Sequence, residues 1–256
     1  MKNPIITLLT DFGLKDPFVG TMKGVILSIC PQAQLVDLTH EIPPQAVLTA
    51  SYLLKSAIGY FPKGTIHLAV VDPGVGSRRK TVAFKSQGQY FVGPDNGLIP
   101  AALKDWGIDQ AVELTEKKYR LPNASSTFHG RDVFAPAAGY LAAGVPMAKL
   151  GKKTNHWVWG EIPKPYRTPK GWAGEVLWVD RFGNLITNLE TSHLPKPFRM
   201  RVGKTVVLCF ITHYSQVKKG TVAALIGSSG HLEISVNGGN AAQKLGVKMG
   251  APIQLF

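Results

Sequence analysis

An aspartate followed seven residues later by an arginine, across a Pro-Gly-Val-Gly turn, is the first feature of this 256-residue chain that could do chemistry. The stretch reads Val70-Val71-Asp72-Pro73-Gly74-Val75-Gly76-Ser77-Arg78-Arg79-Lys80. The apolar run 66–71 ends abruptly at the carboxylate. Buried parallel strands read this way, and their carboxyl ends open into the crevice where α/β proteins bind ligands. A tight loop would bring an arginine back against Asp72. Two readings fit these residues alone: a carboxylate–guanidinium site, or a turn aspartate followed by two solvated arginines.

Residues 74–81 narrowly miss a phosphate-binding P-loop, because Arg79 stands where the backbone cradle needs glycine. Asp11-Phe12-Gly13 shares letters with a kinase metal motif, but no Gly-rich or catalytic loop precedes it. No Cys or His residues stand at zinc-ligand spacing, and no G-x-S-x-G elbow is present. What remains is polar groups at element ends. Asp11 closes the first expected strand, His129 precedes a helix, and Asp180 and Asn184 flank a turn. Each alone has a plain structural explanation: a helix cap, a satisfied core histidine, a surface pair with Arg181. Several such groups at strand edges together point to a site.

Alternating strands and helices must position these groups. Residues 5–9 read as a strand. A helix follows Asp16-Pro17, with Asp16 as N-cap and Pro17 at the first helical position. Val19, Met22, Ile26 and Ile29 form its apolar stripe, and Pro31 stops it. Residues 34–38 read as a strand, 45–60 as a helix, and 65–71 as the strand carrying Asp72. Residues 81–85 and 89–92 form a hairpin around Gln87-Gly88. A helix over 98–106 and a strand over 111–114 follow. A last helix begins near Arg131-Asp132, with Val133, Ala137, Tyr140 and Leu141 on one face. The alternation predicts an α/β N-terminal domain over residues 1–161, its sheet largely parallel and flanked by helices. The Pro-rich basic stretch 162–171 reads as a linker. Residues 172–256 read as a smaller C-terminal all-β, barrel-like domain. Its strands fall near 174–179, 185–188, 205–211, 221–226, 232–236 and 252–256, with one short helix at 241–245.

Composition sets the outer bounds. The apolar share of 45% and charged share of 18% are those of an ordinary globular protein. No stretch is an uninterrupted apolar membrane span. The start, Met1-Lys2-Asn3-Pro4-Ile5-Ile6-Thr7, lacks the apolar core and cleavage site of a signal peptide, so a cytoplasmic protein without a membrane partner is expected. Cys30 and Cys209 read as buried free thiols. The net charge of +13 raises nucleic acid as a partner. The lysines and arginines are nevertheless scattered, without a dense run or interleaved aromatics. A solvated basic surface and no nucleic-acid partner are expected.

Six stretches in order give the chain a family likeness: Thr10-Asp11-Phe12-Gly13, Asp72 to Arg79, Gly93-Pro94-Asp95-Asn96-Gly97, Phe128-His129-Gly130-Arg131-Asp132, Asp180 to Asn188, and Ser228-Ser229-Gly230 followed by Asn237. Together they resemble the S-adenosyl-L-methionine (SAM) hydrolase, or SAM hydroxide adenosyltransferase, family, relatives of the fluorinase and chlorinase enzymes. The resemblance implies attack of water or hydroxide on the ribose C5′ of SAM, releasing L-methionine and adenosine, with no metal and no cofactor besides the substrate. It implies that Asp72, Arg79 and His129 hold the water. Halogenating relatives carry Tyr where Asp72 stands, and Tyr-Ser where His129-Gly130 stands, so the match is to the hydrolases. By the same resemblance Asp11 accepts the ribose hydroxyls, and Phe128 lines the pocket. Asp180 pairs with the methionine ammonium, and Asn184 reads the adenine edge. Ser228 and Ser229 hold the methionine end, and Asn237 completes the substrate set. It further implies a homotrimer, with sites shared between subunits. A halide-dependent SAM adenosyltransferase and a non-catalytic SAM- or adenosine-binding protein are the alternatives. Whether Asp72 or His129 takes the proton is not legible in letters, and Arg78 stands beside the matched Arg79.

Overall fold

The computed structural model describes residues 3–256; Met1 and Lys2, part of the stretch on which the expectation of no signal peptide rests, lie outside the described residues. The chain divides into two compact units, one ending at Ile162 and the other running Pro163–Phe256. Among the described residues no helix is long and apolar enough to cross a membrane.

The first unit contains strands β1 (Ile5–Thr10), β2 (Gln34–Thr39), β3 (Ile66–Val70), β4 (Thr81–Ser86), β5 (Gln89–Pro94), β6 (Gln110–Glu113) and β7 (Lys152–Lys153). Its helices are α1 (Phe18–Ile29), α2 (Val47–Ile58), α3 (Leu98–Ala102) and α4 (Ala135–Ala142). The strands form one sheet in the order β2-β1-β3-β5-β4-β6-β7. It is parallel across β2, β1, β3 and β5, and antiparallel from β5 to β7. Alternation along the strands divides the core into two layers. Ile6, Leu8, Leu68 and Val70 pack with Met22 and Ile26 of α1 and Ala135 and Ala138 of α4. Leu9, Ala69, Phe84 and Phe91 pack with Ala50 and Leu54 of α2 and Leu98 and Ile99 of α3. Burial on both faces explains why β1 and β3 read as largely apolar runs, broken at Thr7 and His67, rather than as alternating ones. Gln87 (φ +50°) and Gly88 (φ +79°) supply the left-handed turn of the β4–β5 hairpin.

The second unit contains β8 (Tyr166–Thr168), β9 (Gly171–Val179), β10 (Leu185–Glu190), β11 (Met200–Val202), β12 (Thr205–Val207), β13 (Val222–Ile226), β14 (His231–Val236), helix α5 (Ala241–Leu245) and β15 (Pro252–Leu255). The sheet order is β12-β11-β15-β9-β10-β14-β13, with β8 added to β9. Every pairing between these strands is antiparallel. The chain beyond β12 then bridges back to β13: Ile211 N donates to Ala224 O, and Ala224 N donates to Cys209 O. The sheet therefore curls into a near-barrel around Val176, Leu185, Met200, Leu232, Ile234 and Ile253.

Local expectations shift in four places. Helix α1 starts one residue late, with Pro17 rather than Asp16 as the N-cap and no side-chain capping bond. The expected helix 98–106 stops at Ala102, where Leu103 leaves helical geometry (φ −90°, ψ 5°) and Gly107 turns the chain at φ +75°. The expected strand 205–211 breaks after Val207 and continues as a bridge. Within the Pro-rich connector, Tyr166–Thr168 pairs with β9, and the Arg167 guanidinium lies 4.6 Å from the centre of the Trp172 ring.

Candidate active site

Parallel neighbours β1, β3 and β5 end at one edge of the first sheet, so the residues that follow them are brought together by topology. Asp11 follows β1, Asp72 follows β3, and Asp95-Asn96 follows β5. The Asn96 side chain donates to Val71 O at 2.8 Å, pinning the residue before Asp72. Two turns, Val75 N to Asp72 O and Ser77 N to Gly74 O, carry the chain back toward the strand. Gly76 is required there: its φ is +77°, and a Cβ would lie 2.5 Å from Ser126 O.

That loop delivers Arg79, not Arg78, to Asp72. Arg78 is exposed. The side chains of Arg79 and Asp72 are 9% and 6% exposed, and they meet as a fork: Nε donates to Oδ1 at 2.8 Å and Nη2 donates to Oδ2. The same Nη2 donates to His129 Nδ1 at 2.8 Å, so Nδ1 must carry a lone pair. Burial and the neighbouring guanidinium both push the His129 pKa below 6.5, which keeps the ring neutral near pH 7. Its one proton therefore sits on Nε2. Arg79 is further held by Lys80 O at 3.2 Å and lies over the Phe134 ring at 5.2 Å.

His129 is positioned by the π-helical turn Gly130–Phe134 that leads into α4. Buried Asp132 fixes the preceding loop by accepting Ser125 N at 2.7 Å and gripping Arg131. Arg131 in turn covers the Phe128 ring at 5.1 Å. Phe128 meets Phe12 and Phe18 edge-on at 5.7 and 5.2 Å. These rings, with Asp72, His129 and Arg131, wall a cavity of about 470 Å³. Asp11 is not among its walls, although Phe12 beside it is; Asp11 Oδ2 accepts Gln45 N at 2.9 Å.

The second unit carries its own cavity, of about 550 Å³, walled by Phe182, Asn184, Tyr214, Val236, Asn237 and Gly239. The β9–β10 turn sets Asn184. Asp180 Oδ1 accepts the backbone N–H of Phe182 (2.9 Å) and Asn184 (2.8 Å), and Oδ2 accepts Asn184 Nδ2 at 2.9 Å. Gly183 makes this turn possible: its φ is +83°, and a Cβ would collide with Asn240 at 2.1 Å. Asn237 Nδ2 donates to Val217 O at 2.6 Å. Ser228 and Ser229 sit exposed in the β13–β14 turn and are not among the cavity walls.

Two residues here escaped the sequence reading. Tyr214 O–H donates to Glu233 Oε1 at 2.7 Å, and Glu233 is 7% exposed. Burial and Glu233 push the Tyr214 hydroxyl up to about 12. Burial first, then the charge of Asp180, raises the Glu233 carboxyl above the ordinary range. The only signal in the letters was a glutamate inside the apolar strand 231–236, which is ambiguous without knowing which face is buried. Among the described residues no three His, Cys, Asp or Glu side chains converge as metal ligands.

Residues 6–151 match the family model described as SAM hydroxide adenosyltransferase N-terminal domain, and residues 174–254 match its C-terminal domain. The chain is similar to an "(R)-S-adenosyl-L-methionine hydrolase" of Thermus thermophilus, 41% identical over 98% of this chain and 99% of the relative. A protein of the same name from Salinispora tropica is 39% identical over 96% and 95%. Among solved structures, an uncharacterized conserved protein from Thermotoga maritima superposes with a TM-score of 0.91 at 37% identity, over 98% of this chain and 99% of that one.

Proposed function

The chain belongs to the SAM hydroxide adenosyltransferase family, and on that premise we propose that it hydrolyses SAM to adenosine and L-methionine, with SAM as substrate and neither metal nor cofactor taking part. The observation that carries the reading is the Arg79 guanidinium bridging the Asp72 carboxylate and His129 Nδ1 on the wall of an aromatic cavity. Two relatives named as hydrolases, aligned over nearly the whole chain, support it.

The arrangement assigns separate tasks. A water between Asp72 and His129 donates a hydrogen bond to the carboxylate and accepts one from His129 Nε2–H. Its lone pair forms the O–C5′ bond as the C5′–S bond breaks, and the electron pair of that bond neutralises the sulfonium to a thioether. The attacking water becomes strongly acidic as the new bond forms. A weak base is then sufficient, and Asp72 takes the proton before releasing it to solvent. His129 is the donor and not the base, because Arg79 occupies its lone pair. The Phe12, Phe18 and Phe128 rings give the cavity an apolar wall, beside which neutralising the cation against Asp72 favours the transition state. Fixing the water in line with C5′ is worth several kcal/mol.

Asp11 and Phe128 from the first unit, and Asp180, Asn184, Ser228, Ser229 and Asn237 from the second, serve as substrate contacts. The protein acts as a cytoplasmic homotrimer whose sites are shared between neighbouring subunits. The basic surface is solvated and takes no nucleic acid; several of its lysines already face acids, as in Lys55–Asp105 and Lys104–Glu161. A halide cosubstrate is disfavoured because the anionic Asp72 would repel it.

Incubating purified protein with SAM and separating the products tests the reading. Adenosine and methionine in equal amounts are expected, and they should be unchanged by added chloride or fluoride. A folded protein that gives no adenosine above a heat-killed control overturns it. Appearance of 5′-halo-adenosine points to the halide transferase, and tight SAM binding without turnover to a non-catalytic binder.

A further inference from the structure

Asp11 is held from one loop on every side. The loop connecting β2 to α2 runs through His40, Pro43, Pro44 and Gln45. His40 is 3% exposed, and its Nδ1 lies 2.8 Å from Thr10 Oγ1, the side chain just before Asp11. Thr10 Oγ1 also accepts Phe12 N at 3.3 Å, just after Asp11. The His40 carbonyl accepts Gly13 N at 2.8 Å. The carboxylate itself is caught by the backbone N–H of Gln45, at 2.9 Å from Oδ2.

The two gripping residues are themselves fixed. His40 Nε2 lies 3.0 Å from Asp37 Oδ1, and Asp37 is held by Lys23 of α1 at 2.6 Å. Gln45 stands at φ +67°, a backbone conformation that a residue with a side chain rarely adopts. A turn from Pro43 O to Ala46 N forces it, and that turn aims the Gln45 N–H at Asp11. Strain held at one residue, where it orients a polar group, marks a functional constraint. Among the described residues no hydrogen bond or ion pair occupies Asp11 Oδ1.

We propose that His40, through Thr10, and Gln45, through its backbone N–H, are positioning residues that aim the Asp11 carboxylate at the vicinal diol of the substrate ribose. The proposal rests on the assignment of Asp11 to the ribose given above. The loop fixes Oδ2 and leaves Oδ1 to meet the diol. Selectivity for a ribonucleoside over one without hydroxyls then depends on the loop that holds the carboxylate.

Calorimetric binding of adenosine and of 2′,3′-dideoxyadenosine to the full-length wild type, Thr10→Val and His40→Ala tests this. The wild type should prefer adenosine by about tenfold or more, the worth of a charged hydrogen bond. Thr10→Val is nearly isosteric and retains the packing, so it carries the test if His40→Ala fails to fold. The expected result is a preference reduced to about threefold or less, with dideoxyadenosine affinity unchanged. A merely structural role would weaken both nucleosides alike, and that outcome overturns the proposal, as does a preference that survives in both variants. A wild type that binds both nucleosides equally overturns the ribose assignment of Asp11 and the proposal with it.

Discussion

Arg79 is the residue on which the first cavity turns, because one guanidinium holds two neighbours in place. It occupies both oxygens of Asp72 and the Nδ1 of His129, fixing a carboxylate and a neutral Nε2–H imidazole side by side. Asp72→Asn and His129→Ala should each lower kcat roughly a hundredfold or more while KM changes little, the mark of groups that act on the transition state. Asp180→Ala should instead raise KM by about tenfold with little effect on kcat; steady-state kinetics of the three variants would read this directly, and parallel changes in both constants would contradict the division of roles. The pH dependence follows from His129. Its pKa is lowered from 6.5, so the neutral donor persists through neutrality and kcat should fall only as pH drops below 6.5. Protonation there places a second N–H against Arg79 and breaks the arrangement. A pH–kcat profile with its acid limb at or above 7 would contradict it.

At the scale of elements, the parallel strands do the positioning, and their interior carries a cost that acid should expose. His67 in β3 is fully buried between Thr7 of β1, at 2.8 Å, and Gln89 of β5, at 2.7 Å, and it stacks on Phe91 at 4.8 Å. Burial lowers its pKa to about 4. The unfolded chain binds this proton near 6.5 and the folded chain only near 4, so the stability is complete above pH 6.5 and is lost as pH falls toward 4. The loss is about 3 kcal/mol. Denaturant midpoints measured from pH 7 to pH 4 should fall accordingly. They should fall less steeply in His67→Leu, whose starting stability is lower because Thr7 and Gln89 lose their partner. The elements that sequence reading found have a recognisable period or firm punctuation, as in α1, α2, the β4–β5 hairpin and the strand that ends at Asp72. Those it missed, β7, β8 and β11, are two or three residues long. Segments so short have no periodicity of their own, and their extended form is imposed by the strand they pair with. The break after Val207 has the same origin: residues 208–211 keep a strand-like composition, but the near-closed sheet leaves room only for a bridge to β13.

For the whole molecule, the proposed homotrimer predicts a solution mass by light scattering of about three times the 27.7 kDa of the chain. A stable monomer with full activity would contradict shared sites. The order of motifs along the chain and the residue types at strand ends were enough to indicate an α/β unit followed by a β unit, and to single out Asp11, Asp72, His129, Asp180 and Asn184, because strand termini and tight turns are punctuated locally by Gly, Pro and Asp; Phe128, Ser228, Ser229 and Asn237 came only from the family resemblance. Sequence also separated this chain from a P-loop protein at a single position, Arg79. It left open which arginine meets Asp72, which ring nitrogen of His129 carries the proton, what aims Asp11, and that Tyr214 and Glu233 form a pair. The first depends on the geometry of one turn, since Asp72 and Arg79 are seven residues apart, and the others on groups brought together from distant parts of the chain: Arg79 and His129 are separated by 50 residues, Asp11 and Gln45 by 34, and Tyr214 and Glu233 by 19. Hydrogen bonds of this kind are directional and short, so only the folded chain, with its strand register and turn geometry set, decides which partners meet and which end of each side chain is left for a substrate.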